Sequence, residues 1–404
     1  MKNYKKTVKL NNVGYDIRGP VTEEAARMVA EGIAVTPLNT GNPAIFNIFA
    51  PDFIEEGMRG AVRAGQPYSD SAGIEEAREA VAAYCRGKGI SGAKAKDVFT
   101  GNGVSELINI TLQALLDDGD EILIPSPDYP LWTAAANLSG GRAVHYICDE
   151  GSNWYPDIAD IKSKITPNTK GIVIINPNNP TGALYPVEVL KQIVEVAREH
   201  GLVVFSDEIY DKILYDGAEH TSTASLADDV LFITFNGLSK SYRVAGFRAG
   251  WMVISGNKES AADYISGINM LSSMRLCSNV PAQSIIQTAL GGYQSIYDLT
   301  RKGGRLYEQR EICQSMLSDI PGISCVKPQG AFYAFPKIDI KKFNITDDEK
   351  MSYDLLRSEH ILIIHGKGFN WKEPDHFRVV FLPQPEDLTA ALGKMKRFFA
   401  AYRQ

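Results

Sequence analysis

A chain of 404 residues, 44% hydrophobic and 22% charged, is long enough for two domains, or one large α/β unit with an appendage, each around its own core. A net charge of −6 with no offsetting basic tract argues against a polyanionic partner such as nucleic acid. The five cysteines form no C-x-x-C pair and the six histidines fall singly, so reduced thiols and no metal are expected.

No apolar run approaches the roughly 18 residues of a membrane span. Residues 1–10 are basic but lead into no apolar stretch, so they do not read as a secretory signal. A cytoplasmic chain, without a membrane span, is the expectation.

Taken in order, residues 15–20 (Tyr15-Asp16-Ile17-Arg18-Gly19-Pro20) end in a Gly-Pro turn signal. A helix is predicted from Thr22, with Glu23 and Glu24 favourable in its first turn and Gly32 closing it. An extended piece over 35–39 leads to the sharp turn Thr40-Gly41-Asn42-Pro43. After the loop carrying Tyr68, the pattern predicts an amphipathic helix over 74–88.

Residues 98–100 read as a short strand entering Gly101-Asn102-Gly103-Val104-Ser105-Glu106, followed by a helix over 107–116. Strand, glycine turn and helix N-terminus together make an anion site, since free N–H groups and the helix dipole converge there. Glu106 stands where G-x-G-x-x-G needs its third glycine, and G-x(4)-G-K-[ST] is absent. A phosphate is indicated, but neither a dinucleotide nor ATP.

A strand over 121–124 ends in Pro125-Ser126-Pro127-Asp128-Tyr129-Pro130, where the prolines fix a turn that presents one flat aromatic, Tyr129. The alternative for Tyr129 is a core aromatic. Strands over 143–147 and 171–175 follow, the second ending in Asn176-Pro177-Asn178-Asn179-Pro180-Thr181-Gly182. A helix over 186–200 carries the chain to a strand over 202–206 and then Asp207-Glu208-Ile209-Tyr210. A carboxylate ending a continuous apolar strand is costly without a cationic partner. Its plainer reading is a cap for the segment that follows.

Two buried strands, 230–235 and 250–254, enclose Gly237-Leu238-Ser239-Lys240, and Arg248 lies eight residues beyond the lysine. Leu238, Val244 and Phe247 would screen such a lysine and favour its nucleophilic form; otherwise it is a solvated loop residue. Helices over 257–275, 281–290 and a long polar one over 295–318 are predicted next. A last α/β unit has strands over 323–326, 331–335, 361–364 and 377–381. In it Arg378 opens a buried strand, and a buried arginine needs an anion. The alternation of strand and helix predicts a doubly wound, mostly parallel sheet, with ligands at the strand carboxyl ends. The Gly101–Ser105 turn, Tyr129, Asn179 and Asp207 all fall at such ends.

Three segments, N-P-x-N-P-T-G at 176–182, S-D-E-I-Y at 206–210 and S-K with Gly246 and Arg248 downstream, resemble the class I aminotransferases of the aspartate aminotransferase family. The resemblance runs from about residue 13 to the end. It implies the type I fold of enzymes dependent on pyridoxal 5'-phosphate, with that cofactor. It further implies an N-terminal arm and part of a small domain over 1–40, a large cofactor-binding domain over 41–295 and a small C-terminal domain over 296–404.

The roles it implies are these. Lys240 is the covalent attachment point and the catalytic base. Val104, Ser105 and Arg248 bind the phosphate, and Tyr68 reaches the phosphate of the partner subunit in a homodimer. Tyr129 stacks on the ring, Asp207 pairs with its nitrogen, and Tyr210 and Asn179 contact its phenolic oxygen. Arg378, Asn179 and Gly41 receive the substrate α-carboxylate. Many relatives carry Ser or Thr where this chain has Gly237, which leaves Ser239 for that phosphate contact.

The members it resembles most exchange amino groups between L-alanine/pyruvate and L-glutamate/2-oxoglutarate, the activity therefore expected. A different amino acid transaminase, a carbon–sulfur lyase or a non-catalytic binding protein on the same scaffold are the alternatives. Glutamate's second carboxylate needs a cation of its own. Arg18, on a segment hinged at Gly19-Pro20 with Tyr15 closing the pocket, is the first candidate. Arg275 is the second, and the alternative for Arg18 is a surface pair with Glu23 or Glu24.

Overall fold

In a computed structural model describing residues 3–14 and 19–404, eight strands form one sheet. They are β1 (Val98–Asn102), β2 (Glu121–Ser126), β3 (Arg142–Asp149), β4 (Tyr155–Pro156), β5 (Thr169–Ile175), β6 (Val203–Asp207), β7 (Leu231–Gly237) and β8 (Ala249–Gly256). Their order across the sheet is β1-β8-β7-β6-β5-β2-β3-β4. Pairs β7–β6, β6–β5, β5–β2 and β2–β3 are parallel, while β8 runs against both its neighbours. Because β8 reverses direction twice over, β1 runs the same way as β7. The carboxyl ends of β1, β2, β5, β6 and β7, and the amino end of β8, therefore meet at one edge.

Both faces of this sheet are covered, which explains the near-continuous apolar strands. Ile172, Ile174, Val204 and Phe232 belong to one buried cluster, and Val173, Ile175, Phe205 and Ile233 to another. Successive residues thus alternate between two cores, each fully buried aliphatic chain worth about 1.5–3 kcal/mol. The candidate residues lie where these strands run out.

The C-terminal third builds a second, smaller layer. Phe377–Val380 pairs antiparallel with Tyr333–Ala334 on one side and Ile364–His365 on the other. The N-terminal helix Pro20–Ala30 belongs with this layer: Val21, Ala25 and Met28 pack on Leu356 and Leu362. The strand Thr36–Pro37 pairs with Ile361–Leu362, and Val380 N–H donates to Leu38 O at 2.8 Å. The segment leading to Gly41 is thereby stitched to the strand that carries Arg378.

Two element expectations change. The helix expected from Leu107 begins at Val104, because Gly103 takes φ 77° and turns the chain straight into it. The long helix expected over 295–318 is two, Ile296–Thr300 and Arg305–Ser318, interrupted where Gly303 adopts φ 83°. Among the described residues no helix is long and apolar enough to cross a membrane.

Candidate active site

One cavity of about 310 Å³ opens at that strand edge. Its walls include Gly41, Val104, Ser105, Tyr129, Asn179, Asp207, Tyr210, Ser239, Lys240, Arg248 and Arg378, side chains drawn from the whole length of the chain. Each arrives by the local chemistry of a strand end.

At one end, helix Val104–Leu115 points its N-terminus into the cavity, with Gly103 as its N-cap residue. A Cβ on residue 103 would lie 2.0 Å from Arg248 Nη2, so glycine lets the guanidinium sit against the helix start. Arg248 itself is left-handed, φ 59°, at the amino end of β8. It donates to the carbonyls of Ala245 at 2.8 Å and Asn102 at 3.2 Å, and among the described residues it pairs with no carboxylate. Glu106 folds back on Asn102, accepting from its backbone N–H at 2.8 Å and its Nδ2 at 2.9 Å. A guanidinium without a carboxylate beside a helix N-terminus is an anion site suited to a phosphate monoester.

At the centre, Asp207 ends β6 with 5% of its surface exposed. It accepts from Trp132 Nε1 at 3.2 Å and from Ile209 N–H at 3.3 Å. The second bond realises, in part, the capping role weighed for it. Burial drives its pKa up to about 6, against the opposing pull of these bonds and of Lys240. A carboxylate so placed fits a ligand that brings a cationic N–H, because that charge would offset the desolvation.

Lys240 follows β7 on a loop backed by Leu238 and Val244, both buried, and its Nζ donates to Gly41 O at 2.8 Å. That nitrogen lies 5.9 Å from the centre of the Tyr210 ring. Opposite, Arg378 is 2% exposed and donates through Nη1 to Asn179 Oδ1 at 2.9 Å and through Nη2 to Asn39 O. Its guanidinium lies between the rings of Tyr333 at 4.6 Å and Phe369 at 4.5 Å.

Tyr68 does not line this cavity; it is 79% exposed. Tyr15 and Arg18 lie outside the described residues. Arg275 is committed elsewhere, with Nη1 on Glu106 at 2.6 Å and Nη2 on the carbonyls of Thr100 at 2.7 Å and Ser71 at 3.1 Å. Glu24, one partner weighed for Arg18, is held by Arg27 at 2.7 Å and Arg357 at 2.5 Å. Two contributors were missed. Trp132 is signalled only by its place after the proline turn, and Tyr333 by a buried aromatic run, Phe332 to Phe335.

The family described as aminotransferase class I and II matches residues 33–395. The glutamate-pyruvate aminotransferase AlaA of Haemophilus influenzae is 59% identical over 404 residues, with 100% of both chains covered. The alanine aminotransferase of Mycobacterium tuberculosis is 57% identical over 402 residues, 99% of this chain and 94% of that protein. The crystal structure of an aminotransferase from Escherichia coli, 58% identical, superposes with a TM-score of 0.99 over 100% of both chains.

Proposed function

The chain belongs to the class I and II aminotransferases, enzymes dependent on pyridoxal 5'-phosphate, and we propose that it exchanges the amino group between L-alanine/pyruvate and L-glutamate/2-oxoglutarate. One observation carries the reading: Lys240, Asp207, Arg248 and Arg378 converge on a single cavity in a chain similar, end to end, to glutamate-pyruvate aminotransferases. The donor set fits the cofactor, with an anion site at the start of helix Val104–Leu115 and, in the same cavity, a buried carboxylate that a cationic N–H would offset.

When bound, pyridoxal phosphate supplies a carbonyl that condenses with amines and a ring that delocalises the electrons left when Cα loses its proton. The N–H groups of Val104 and Ser105, the Ser105 and Ser239 hydroxyls and Arg248 would hold its phosphate. Tyr129 would stack on the ring, Asp207 would accept from the ring nitrogen, and Tyr210 and Asn179 would donate to the phenolic oxygen. Arg378 would grip the substrate α-carboxylate in its planar fork beside Asn179 and the Gly41 backbone. Lys240 Nζ would carry the covalent attachment and, once released, remove and return the proton at the substrate Cα.

The same reading extends to organisation. Residues 41–295 form the cofactor-binding domain, 1–40 the arm and part of the small domain, and 296–404 the small domain proper. The enzyme works as a homodimer in which each subunit lends Tyr68 to the other's phosphate site, a role supported by the exposure of this loop tyrosine. Five free thiols suit a cytoplasmic enzyme. Arg18 receives the distal carboxylate of glutamate, with Tyr15 closing over it.

The test is a donor and acceptor panel on the purified holoenzyme. Pyruvate and glutamate formed from alanine and 2-oxoglutarate, with other pairs clearly slower, is the expected result. Preference for another donor would make it a different transaminase. Ammonia and pyruvate released from cysteine-like substrates without a keto acceptor would make it a lyase.

A further inference from the structure

Tyr333 touches three parts of the cavity at once. Its hydroxyl lies 2.7 Å from the hydroxyl of Tyr210, the rings standing edge to face at 85°. Its ring face supports the Arg378 guanidinium at 4.6 Å. A Cβ on residue 41 would come within 2.0 Å of its Oη, and Gly41 O is the acceptor for Lys240 Nζ. The side chain is 2% exposed, and its backbone pairs with Val380 on the strand that carries Arg378. It is therefore fixed relative to Arg378, while the loop holding Tyr210 comes from the large sheet.

Two phenols in contact hold two protons, and the bond between them uses one. If Tyr210 gave its proton to Tyr333, it would have none for an acceptor in the cavity. We propose that Tyr333 is a positioning residue: its hydroxyl donates to Tyr210 Oη, which leaves the Tyr210 proton directed into the cavity, and its ring face holds Arg378 in the plane that receives a carboxylate. This rests on the reading of the cavity as the pyridoxal phosphate site. Burial keeps the Tyr210 phenol well above its ordinary value, so it remains a donor throughout the working range. The charged groups facing the pair are Arg378, Asp207 and Lys240.

The two roles separate by substitution in the holoenzyme. Tyr333→Phe removes only the hydroxyl. The pH midpoint of the cofactor's visible absorbance should rise by roughly 0.5–1 unit, because a donor to an ionised oxygen is weakened. KM for alanine and glutamate should stay within about twofold, since the ring remains. Tyr333→Leu removes the ring, and KM for both substrate pairs should rise by roughly 2- to 30-fold. If Tyr333 acts through Tyr210, Tyr210→Phe combined with Tyr333→Phe should shift the midpoint no further than Tyr210→Phe alone. A wild-type midpoint in Tyr333→Phe, or additive shifts in the double variant, would overturn the assignment. A wild-type protein with no pH-dependent cofactor absorbance would instead overturn the reading of the cavity, and this proposal with it.

Discussion

Arg378 Nη1 donates to Asn179 Oδ1 at 2.9 Å although 199 positions separate them in the chain. Asn179 stands at the carboxyl end of the large sheet, whereas Arg378 opens a strand of the small layer, so the bond spans the two. It fixes one edge of the guanidinium, which also lies over the rings of Tyr333 and Phe369. Arg378→Lys keeps the charge but loses the fork. We expect kcat/KM to fall by about 10- to 150-fold for alanine and glutamate alike, the worth of one charged hydrogen bond of roughly 1.5–3 kcal/mol. Steady-state kinetics on both substrate pairs will check it, and a loss confined to one pair would refute a shared α-carboxylate site.

Discrimination between alanine and glutamate is predicted to lie in Arg18. With Arg275 engaged by Glu106 at 2.6 Å, moving it to a substrate would leave a half-buried carboxylate unpaired. Arg18→Ala should lower kcat/KM for glutamate and 2-oxoglutarate by about 10- to 150-fold while changing alanine and pyruvate much less. Equal losses on both pairs would assign Arg18 to the general shape of the site. An unaffected glutamate reaction would move the role elsewhere.

Asp128, beside Tyr129, offers a test of electrostatics. It is fully buried, accepts from Asn370 Nδ2 at 2.6 Å and Thr133 Oγ1 at 2.8 Å, and burial pushes its pKa up to about 7. An acid whose folded pKa is raised holds a proton that the unfolded chain has lost. Its contribution is therefore full below about pH 4 and is lost as pH climbs towards 7. Nearby His145, which burial lowers to about 4, works in the opposite sense: its contribution is present above about pH 6.5 and lost as pH falls towards 4. Asp128→Asn removes the first effect and leaves the second. Relative to wild type, the variant should be less stable at pH 5 than at pH 7.5, by at most about 2.5 kcal/mol. Urea unfolding at the two pH values gives the answer, and an identical difference at both would contradict it.

Much of the cavity was readable because its residues sit in turns whose chemistry is local. Prolines and asparagines after β2 and β5, and the carboxylate closing β6, announce a strand end without any knowledge of the partner strands. Gly103 shows where that reading falls short: a glycine turn was evident, but not that its φ would start the helix three residues early. Gly303, with φ 83°, lies inside a polar stretch that otherwise fits one long helix. Tyr333 and Trp132 were invisible for a different reason. Their parts depend on contacts with Tyr210 and Asp207, 123 and 75 positions away, and no local pattern encodes such a meeting. The direction of Arg275 likewise follows only from Glu106 folding back beneath it.

Sharing of sites between subunits is predicted from Tyr68. Mixing Lys240→Ala subunits with Tyr68→Phe subunits should restore activity beyond either alone, because one site of each heterodimer then holds both native residues. A mixture no more active than the sum of its parents, with heterodimers present by native mass spectrometry, would exclude a shared site.

The chemistry turns on Lys240 Nζ moving the proton at the substrate Cα. Its most direct measurement is exchange of the α-hydrogen of L-alanine with deuterium from solvent, in holoenzyme supplied with no keto acid, followed by NMR. The wild-type protein should wash that hydrogen out, whereas Lys240→Ala, still binding cofactor and alanine, should lose essentially all exchange. Exchange by Lys240→Ala at the wild-type rate would show that another group moves this proton.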